Sequence, residues 1–337
     1  MLALSAPTAS APTQAMEDAR PPAVMARGLV KRFGGTEAVG GVDLTVPAGA
    51  IYGILGPNGA GKTTTMRMLL GIIDPDSGTR IVLGHERPHQ VARAIGYLPE
   101  ERGLYPAMKA VDAIAFMGAL RGLPQRVGRE RGRAMLEAHG LGNAADRQIR
   151  HLSKGMAQTV QLLGTLVHRP RLVVLDEPFS GLDAINQGKL ETMIRDLAAA
   201  GTTVIFSTHV IAHAERLCER IAIIAGGRVP FEGRVDEARD RIPAQVRLET
   251  RAGDGPWRRR LPPGAAAGRK EGGGHWWTFP LPATGIEAML RDLVEGQAGI
   301  LSLSIERAGL HDAFMHIAGE AAARALANGS AADGSPA

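Results

Sequence analysis

The sequence predicts an α/β fold: a large sheet domain carrying an all-helical insert, then a small C-terminal α+β domain. Three observations predict it. From about Val24 to Glu232, short apolar runs alternate with stretches of helical period. A glycine-rich run, Gly56 to Thr64, directly follows the apolar Ile51–Leu55 and opens a helical stretch. After Glu232 the texture changes, with frequent Pro, Gly and Arg and shorter apolar runs.

Strands are expected over Val24–Val30, Val42–Val46, Ile51–Leu55, Arg80–Leu83, Ile95–Leu98, Leu172–Leu175, Thr203–Ser207 and Ile221–Ala225. Helices are expected after Gly61, Met108 and Arg126, from Ser153 to His168, and over Ala184–Ala200 and Ala212–Glu219. Met108 to Arg150 has helical periodicity and no strand pattern, so it reads as the insert, a helical subdomain over about 100–160. In the second module, strands are expected at Gln245–Thr250, Trp257–Leu261, His275–Pro280 and Ile300–Glu306, with helices at Gly285–Glu295 and Gly309–Gly319. The domains are thus a disordered leader over 1–23, a sheet domain over 24–235, the α+β module over 236–320 and a disordered Ala/Gly/Ser-rich tail over 321–337. No internal repeat is present.

The chain has 337 residues, 45% hydrophobic and 22% charged, values of an ordinary globular protein. A net charge of +5 is compatible with nucleic acid or an anionic membrane surface. Its Arg-, Ala- and Gly-rich usage reads instead as a composition habit spread along the chain, and no nucleic-acid partner is expected. Cys218 stands alone, which rules out an intrachain disulfide and suits a reducing compartment. No run of about 18 apolar residues exists, so no membrane span is predicted. The N-terminal stretch lacks the basic start and apolar core of a signal peptide, and Met16 or Met25 are alternative starts.

The run Gly56-Pro57-Asn58-Gly59-Ala60-Gly61-Lys62-Thr63-Thr64 matches the phosphate-binding pattern G-x-x-x-x-G-K-[ST], the P-loop. Glycines let successive backbone N–H groups converge on phosphate oxygens, and the helix that follows adds a favourable field. Lys62 is predicted to reach the β- and γ-phosphates and Thr63 to offer its hydroxyl to Mg²⁺. Asp176 and Glu177 end the apolar run Leu172–Leu175, which carries them to the carboxyl edge of the sheet beside that loop. Asp176 is then a Mg²⁺ partner, directly or through the ion's other ligands, and Glu177 polarises the attacking water.

With these motifs in order, the run Leu152-Ser153-Lys154-Gly155-Met156 resembles the signature motif of ATP-binding-cassette (ABC) ATPases. Over roughly Val24 to Glu232 the chain resembles ATP-binding subunits of ABC transporters, which implies a P-loop NTPase of the ABC cassette type with a helical subdomain. The resemblance extends to Ser180-Gly181-Leu182-Asp183, similar to the D-loop, with Asp183 reaching toward the partner subunit's nucleotide. It extends to Ser207-Thr208-His209, similar to the switch region, with His209 sensing the γ-phosphate. Phe33 lies where the family places an aromatic that stacks on adenine; the other reading of Phe33 is an ordinary core residue at a strand end. Three helix-spaced residues of the C-terminal module, Leu310, Phe314 and Ile317, read as core.

Two departures from the common family pattern stand out. Lys154 and Met156 replace a Gly and a Gln of the usual signature, while Ser153 and Gly155, the positions implied to cap the γ-phosphate across a dimer, are kept. Glu100 stands where a Mg²⁺-binding glutamine is usual; a carboxylate can also ligate the ion, and Arg102 is its candidate partner. With Gly96–Tyr105, these features resemble the sodium-efflux and daunorubicin-resistance type of exporter ATPase, which carries a small C-terminal accessory domain.

What the resemblance implies is a homodimer that binds ATP and Mg²⁺ between Lys62 of one copy and Ser153 of the other. It also implies ATP hydrolysis coupled to export through a separately encoded multi-span membrane subunit, at the cytoplasmic face of the membrane. That subunit would recognise the cargo and dock on the helical insert and the loop at Glu100–Pro106. Two rival readings are a soluble ABC-type ATPase acting on nucleic acid or ribosomes, and a binding module of this fold that hydrolyses poorly. The single cassette, the single Cys and the lack of sustained heptads count against the first, and the intact Lys62, Asp176, Glu177 and His209 against the second.

Overall fold

The computed structural model describes residues 21–332, apart from 102, 263, 270–273 and 283–285. Most of the expected leader and the expected Arg102 partner of Glu100 therefore lie outside the described residues. The chain divides into two compact units, one over the described residues up to Glu232 together with 328–332, and the other from Gly233 to Ala327.

The first unit contains two sheets. Strands β1 (Val24–Phe33), β2 (Thr36–Val46) and β4 (Ser77–Val82) form an antiparallel sheet in the order β2-β1-β4. The larger sheet has the order β5-β6-β7-β3-β8-β9, built from β3 (Ile51–Leu55), β5 (Ile95–Leu98), β6 (Leu172–Leu175), β7 (Thr203–Thr208), β8 (Arg220–Ala225) and β9 (Arg228–Arg234). The pairs β5–β6, β6–β7, β7–β3 and β3–β8 are all parallel. Every residue of β6 and β7 is buried. That is why Leu172–Leu175 and the middle of β7 read as unbroken apolar runs rather than as alternation.

Helix α1 (Lys62–Leu69) lies in one core shared by both sheets: its Met66, Met68 and Leu69 cluster with Val24, Val42 and Leu44 on one side and Ile54, Val174 and Ile205 on the other. Each such side chain taken out of water stabilises the layer by about 1.5–3 kcal/mol. The insert holds α2 (Ala110–Leu120) and α3 (Gln125–Ala138), followed by α4 (Lys154–Leu166); α5 (Ala184–Ala199) and α6 (Ile211–Leu217) complete this unit.

The second unit opens with α7 (Val235–Arg239) and has an antiparallel sheet ordered β11-β12-β10-β13, from β10 (Gln245–Thr250), β11 (Ala266–Arg269), β12 (His275–Pro280) and β13 (Ile300–Glu306). Helix α8 (Glu287–Glu295) contributes Met289 and Leu293 to a core with Val246, Leu248, Trp257, Trp277 and Phe279. Helix α9 spans Leu310–Ala332, with Leu310 and Ile317 buried as expected.

Several elements depart from the sequence expectation. The predicted strand Trp257–Leu261 is a 3₁₀ turn over Pro256–Arg260: Pro256 opens it, and Trp257 is buried with its ring edge-on to Trp277 at 5.3 Å. Strand β11 was not expected, because Ala266–Arg269 shows no apolar alternation. Strand β9 was likewise missed, its Gly and Pro masking the pattern. The last helix continues to Ala332, through a segment expected to be a disordered tail from Ala321; its alanines favour helix.

Candidate nucleotide site

The parallel sheet brings three strand ends together. In the order β6-β7-β3, Leu175 pairs with Phe206 and Leu55 with Thr208. The residues that follow, Asp176–Glu177, Ser207–His209 and Gly56 onward, therefore meet at one carboxyl edge, where open α/β sheets bind ligands. Gly56 must be glycine because a Cβ there would strike the Ile224 carbonyl of β8. Gly61, immediately before α1, has φ 102°, and a Cβ would sit 2.5 Å from the Ala38 carbonyl oxygen.

Lys62 is almost fully buried, and its Nζ donates to the carbonyls of Gly56 at 2.7 Å and Pro57 at 3.1 Å. The same Nζ lies 3.3 Å from Glu177 Oε1. Thr63 Oγ1 donates to Asp176 Oδ1 at 3.2 Å. Ser207, wholly buried, ties the acids together: its hydroxyl donates to Asp176 Oδ1 at 2.7 Å and accepts from the Glu177 backbone N–H at 2.9 Å. Glu177 Oε2 accepts from His209 Nδ1 at 2.9 Å. Asp176 Oδ2 and Glu177 Oε1 are buried without a hydrogen-bond partner. Glu177 also holds φ at 46°, a left-handed conformation that a non-glycine residue keeps only when its surroundings enforce it.

A cavity of about 360 Å³ is lined by Ala38, Asn58, Lys62, Thr63, Glu100 and Glu177, with the remaining residues of the loop from Gly59 to Thr64. Glu100 thus faces the same space as Lys62, Thr63 and Glu177. Phe33 does not line it; at the end of β1 the ring is 50% exposed, with Lys31 Nζ 5.7 Å from its centroid. Its reading as an ordinary core residue is thereby corrected: solvent, not packing, surrounds the ring.

Ser153 and Gly155 lie elsewhere. Ser153 caps α4, its Oγ accepting from Met156 N–H at 3.3 Å, and lines a second cavity of about 180 Å³ with Met156, Gln158, Pro178, Leu182 and Asn186. Asp183 caps α5 by accepting from the Asn186 backbone and side-chain N–H groups, both at 2.9 Å. A Cβ at Gly155 would sit 3.1 Å from Asn186 Nδ2, so the starts of α4 and α5 abut. The chain brings Lys62, Thr63, Glu100, Asp176, Glu177 and His209 into one group and leaves Ser153, Gly155 and Asp183 in another.

In the sequence Ser207 stands only as part of the run Ser207-Thr208-His209, and its bridging role is set by the strand pairing. The available signal was a hydroxyl at a buried strand end, in register with the acidic one. Tyr97, beside the site, has its phenol pushed up chiefly by burial, with Asp176 and Glu100 adding to the effect and Arg67 opposing it. Among the described residues no helix is long and apolar enough to cross a membrane.

Comparison with known proteins gives a consistent result. A family model described as "ABC transporter" matches residues 39–180. The daunorubicin/doxorubicin resistance ATP-binding protein DrrA of Streptomyces peucetius is 40% identical over 227 residues, covering 66% of this chain and 69% of that one. The Nod factor export ATP-binding protein I of Burkholderia lata is 39% identical over 210 residues, covering 61% and 69%. Among solved structures, an ATP-binding subunit of an ABC transporter superposes with a TM-score of 0.60 at 28% identity, covering 65% of this chain and 92% of that one.

Proposed function

The chain belongs to the ABC transporter family as an ATP-binding subunit with ATPase activity, and from that premise we propose that two copies close around two ATP molecules to drive a separate membrane subunit in export. In this reading each ATP lies between the loop Gly56–Thr64 of one copy and Ser153 and Gly155 of the other, with Asp183 of that second copy nearby. The observation that carries it is the separation of Ser153 from the cavity of Lys62 and Glu177: one copy presents two half-sites, and a two-fold pairing joins them with a single surface patch. Export is supported by the relatives named for drug resistance and Nod factor export. The site would act at the cytoplasmic face of the membrane, held there by the partner.

Lys62, released from the Gly56 and Pro57 carbonyls, would take the β- and γ-phosphates. Glu177, aligned by His209 and Ser207, would orient the attacking water, and His209 would follow the γ-phosphate. Phe33, free of the core, would stack on adenine. A divalent cation fits the donor set: Thr63 and Asp176 are hydrogen-bonded to each other, Asp176 Oδ2 is buried without a partner, and Glu100 faces the same space. Thr63, Asp176 and Glu100 would hold Mg²⁺, which neutralises phosphate charge when bound.

The decisive experiment is light scattering on Glu177→Gln with saturating ATP and Mg²⁺. A trapped dimer that dissolves on nucleotide removal is expected, with ATP turnover lowered by at least about a hundredfold. A variant that binds ATP yet stays monomeric, both alone and with its membrane subunit, overturns the sandwich.

A further inference from the structure

We propose that Gln158 is a positioning residue for hydrolysis, tying helix α4 to the turn that carries Glu177, and that through it the two nucleotides of the dimer are coupled. The coupling rests on the two-copy reading above; the positioning role does not. Helix α4 starts at Ser153 and Gly155, the residues assigned to the nucleotide of the other copy. Gln158 lies about one turn further on, and its Nε2 donates to the Pro178 carbonyl at 2.6 Å. Pro178 directly follows Glu177, whose backbone is held in the left-handed region.

Other restraints on this turn come from strand β7, from the turn itself and from helix α6. Ser207 accepts the Glu177 N–H, Ser180 N–H donates to the Glu177 carbonyl at 3.1 Å, and Phe179 is stacked on His213 at 4.0 Å and set edge-on to Phe206. Gln158 supplies the hydrogen bond from the helix that carries Ser153. Further along α4, the buried Gln161 donates to the Glu101 carbonyl at 3.4 Å and Thr165 to the Tyr97 carbonyl at 3.4 Å. One helix is therefore fastened to both segments that present carboxylates to the phosphate cavity, Glu177 on one and Glu100 on the other.

A helix moves as a rigid rod. When its Ser153 end is drawn onto a nucleotide, Gln158 pulls on the Pro178 carbonyl and turns Glu177 toward the nucleotide on the other face. Binding at one site then favours the hydrolytic geometry of the second, a coupling between sites carried by a named contact.

The test uses the full chain with Gln158→Glu, which keeps the side-chain shape and removes the donor. Steady-state ATPase is measured against ATP concentration, and dimer trapping is followed on the Glu177→Gln background. The expected result is a kcat lower by about ten- to a hundredfold, KM nearly unchanged, a Hill coefficient lowered from above one to one, and an ATP-trapped dimer that persists. Gln158→Met serves in the same assays if the first variant does not fold. Parental kcat with the donor removed overturns the positioning role, and a lowered kcat with the parental Hill coefficient overturns the coupling. A parent chain with a Hill coefficient of one and no trapped dimer overturns the two-copy reading and the coupling together, and kcat alone then decides whether Gln158 positions Glu177.

Discussion

Ser207 joins the Asp176 carboxylate to the Glu177 backbone, donating to the first and accepting from the N–H of the second. Ser207→Ala leaves the buried Glu177 N–H unpaired and takes from Asp176 Oδ1 the shorter of its two hydrogen bonds, which costs about 1–3 kcal/mol. Thermal melts should show that loss, together with a fall in kcat larger than any change in KM; an unchanged melt and unchanged kcat would refute the bridge. Phe33 invites the opposite outcome. With its ring half in solvent, Phe33→Ala should leave the melting temperature alone and weaken ATP binding several-fold, about 0.5–1.5 kcal/mol of stacking, while Phe33→Trp retains it. Titration with a fluorescent ATP analogue separates the two. Lys62, Thr63, Asp176 and Glu177 were legible in the sequence because a glycine loop after a strand, and acids ending a buried strand, are local patterns. Ser207 was not, because a serine at a strand end says nothing until the strand opposite it is known.

At the scale of elements, α5 and α6 are joined through the buried Glu191 and His213 and the half-exposed Arg216. Glu191 on α5 accepts from Arg216 Nη2 at 2.6 Å and Nε at 2.9 Å, with His213 Nδ1 at 3.5 Å, all between the helix that starts at Asp183 and the one that follows His209. Burial is the main cause holding the His213 imidazole below its ordinary value of 6.5; Arg216 adds to this and Glu191 opposes it. A base whose folded pKa is depressed resists protonation in the native state. Its contribution is therefore intact above about pH 6.5 and is lost as pH falls below that through the folded value. Urea melts should show lower stability at pH 5.5 than at pH 7.5, with a smaller pH dependence in His213→Gln. Part of the slope should remain, since burial lowers His139 and His168 as well. An identical slope in the variant would remove His213 from the account. The predicted strand at Trp257 failed for an elementary reason: a Trp in a short apolar run fits a strand and a 3₁₀ turn equally, and the partner ring of Trp277 decides between them.

The whole molecule has two compact units with separate buried clusters. Trp257 is buried in the second, edge-on to Trp277, whose Nε1 donates to Thr250 Oγ1 at 3.0 Å. Trp257→Ala should cost that unit about 3–5 kcal/mol. Calorimetry should then show one transition moved down and another, the one raised by ATP, unmoved; a single cooperative transition shifting as a whole would show that the units melt together.

The phosphate loop, the acidic strand end, the helical insert and the change of texture after Glu232 were written in the sequence alone, because each depends on neighbours within a dozen residues and on hydrophobic period. The order β5-β6-β7-β3-β8-β9 was decided only by tertiary structure. So were the contact of Thr63 with Asp176 across 113 positions, the hold of Gln158 on Pro178 and the exposure of Phe33. Hydrophobic period marks which segments are buried but carries no label for the neighbour each one chooses. That choice is made by packing both faces of a parallel sheet at once, and it turns three separate strand ends into one site.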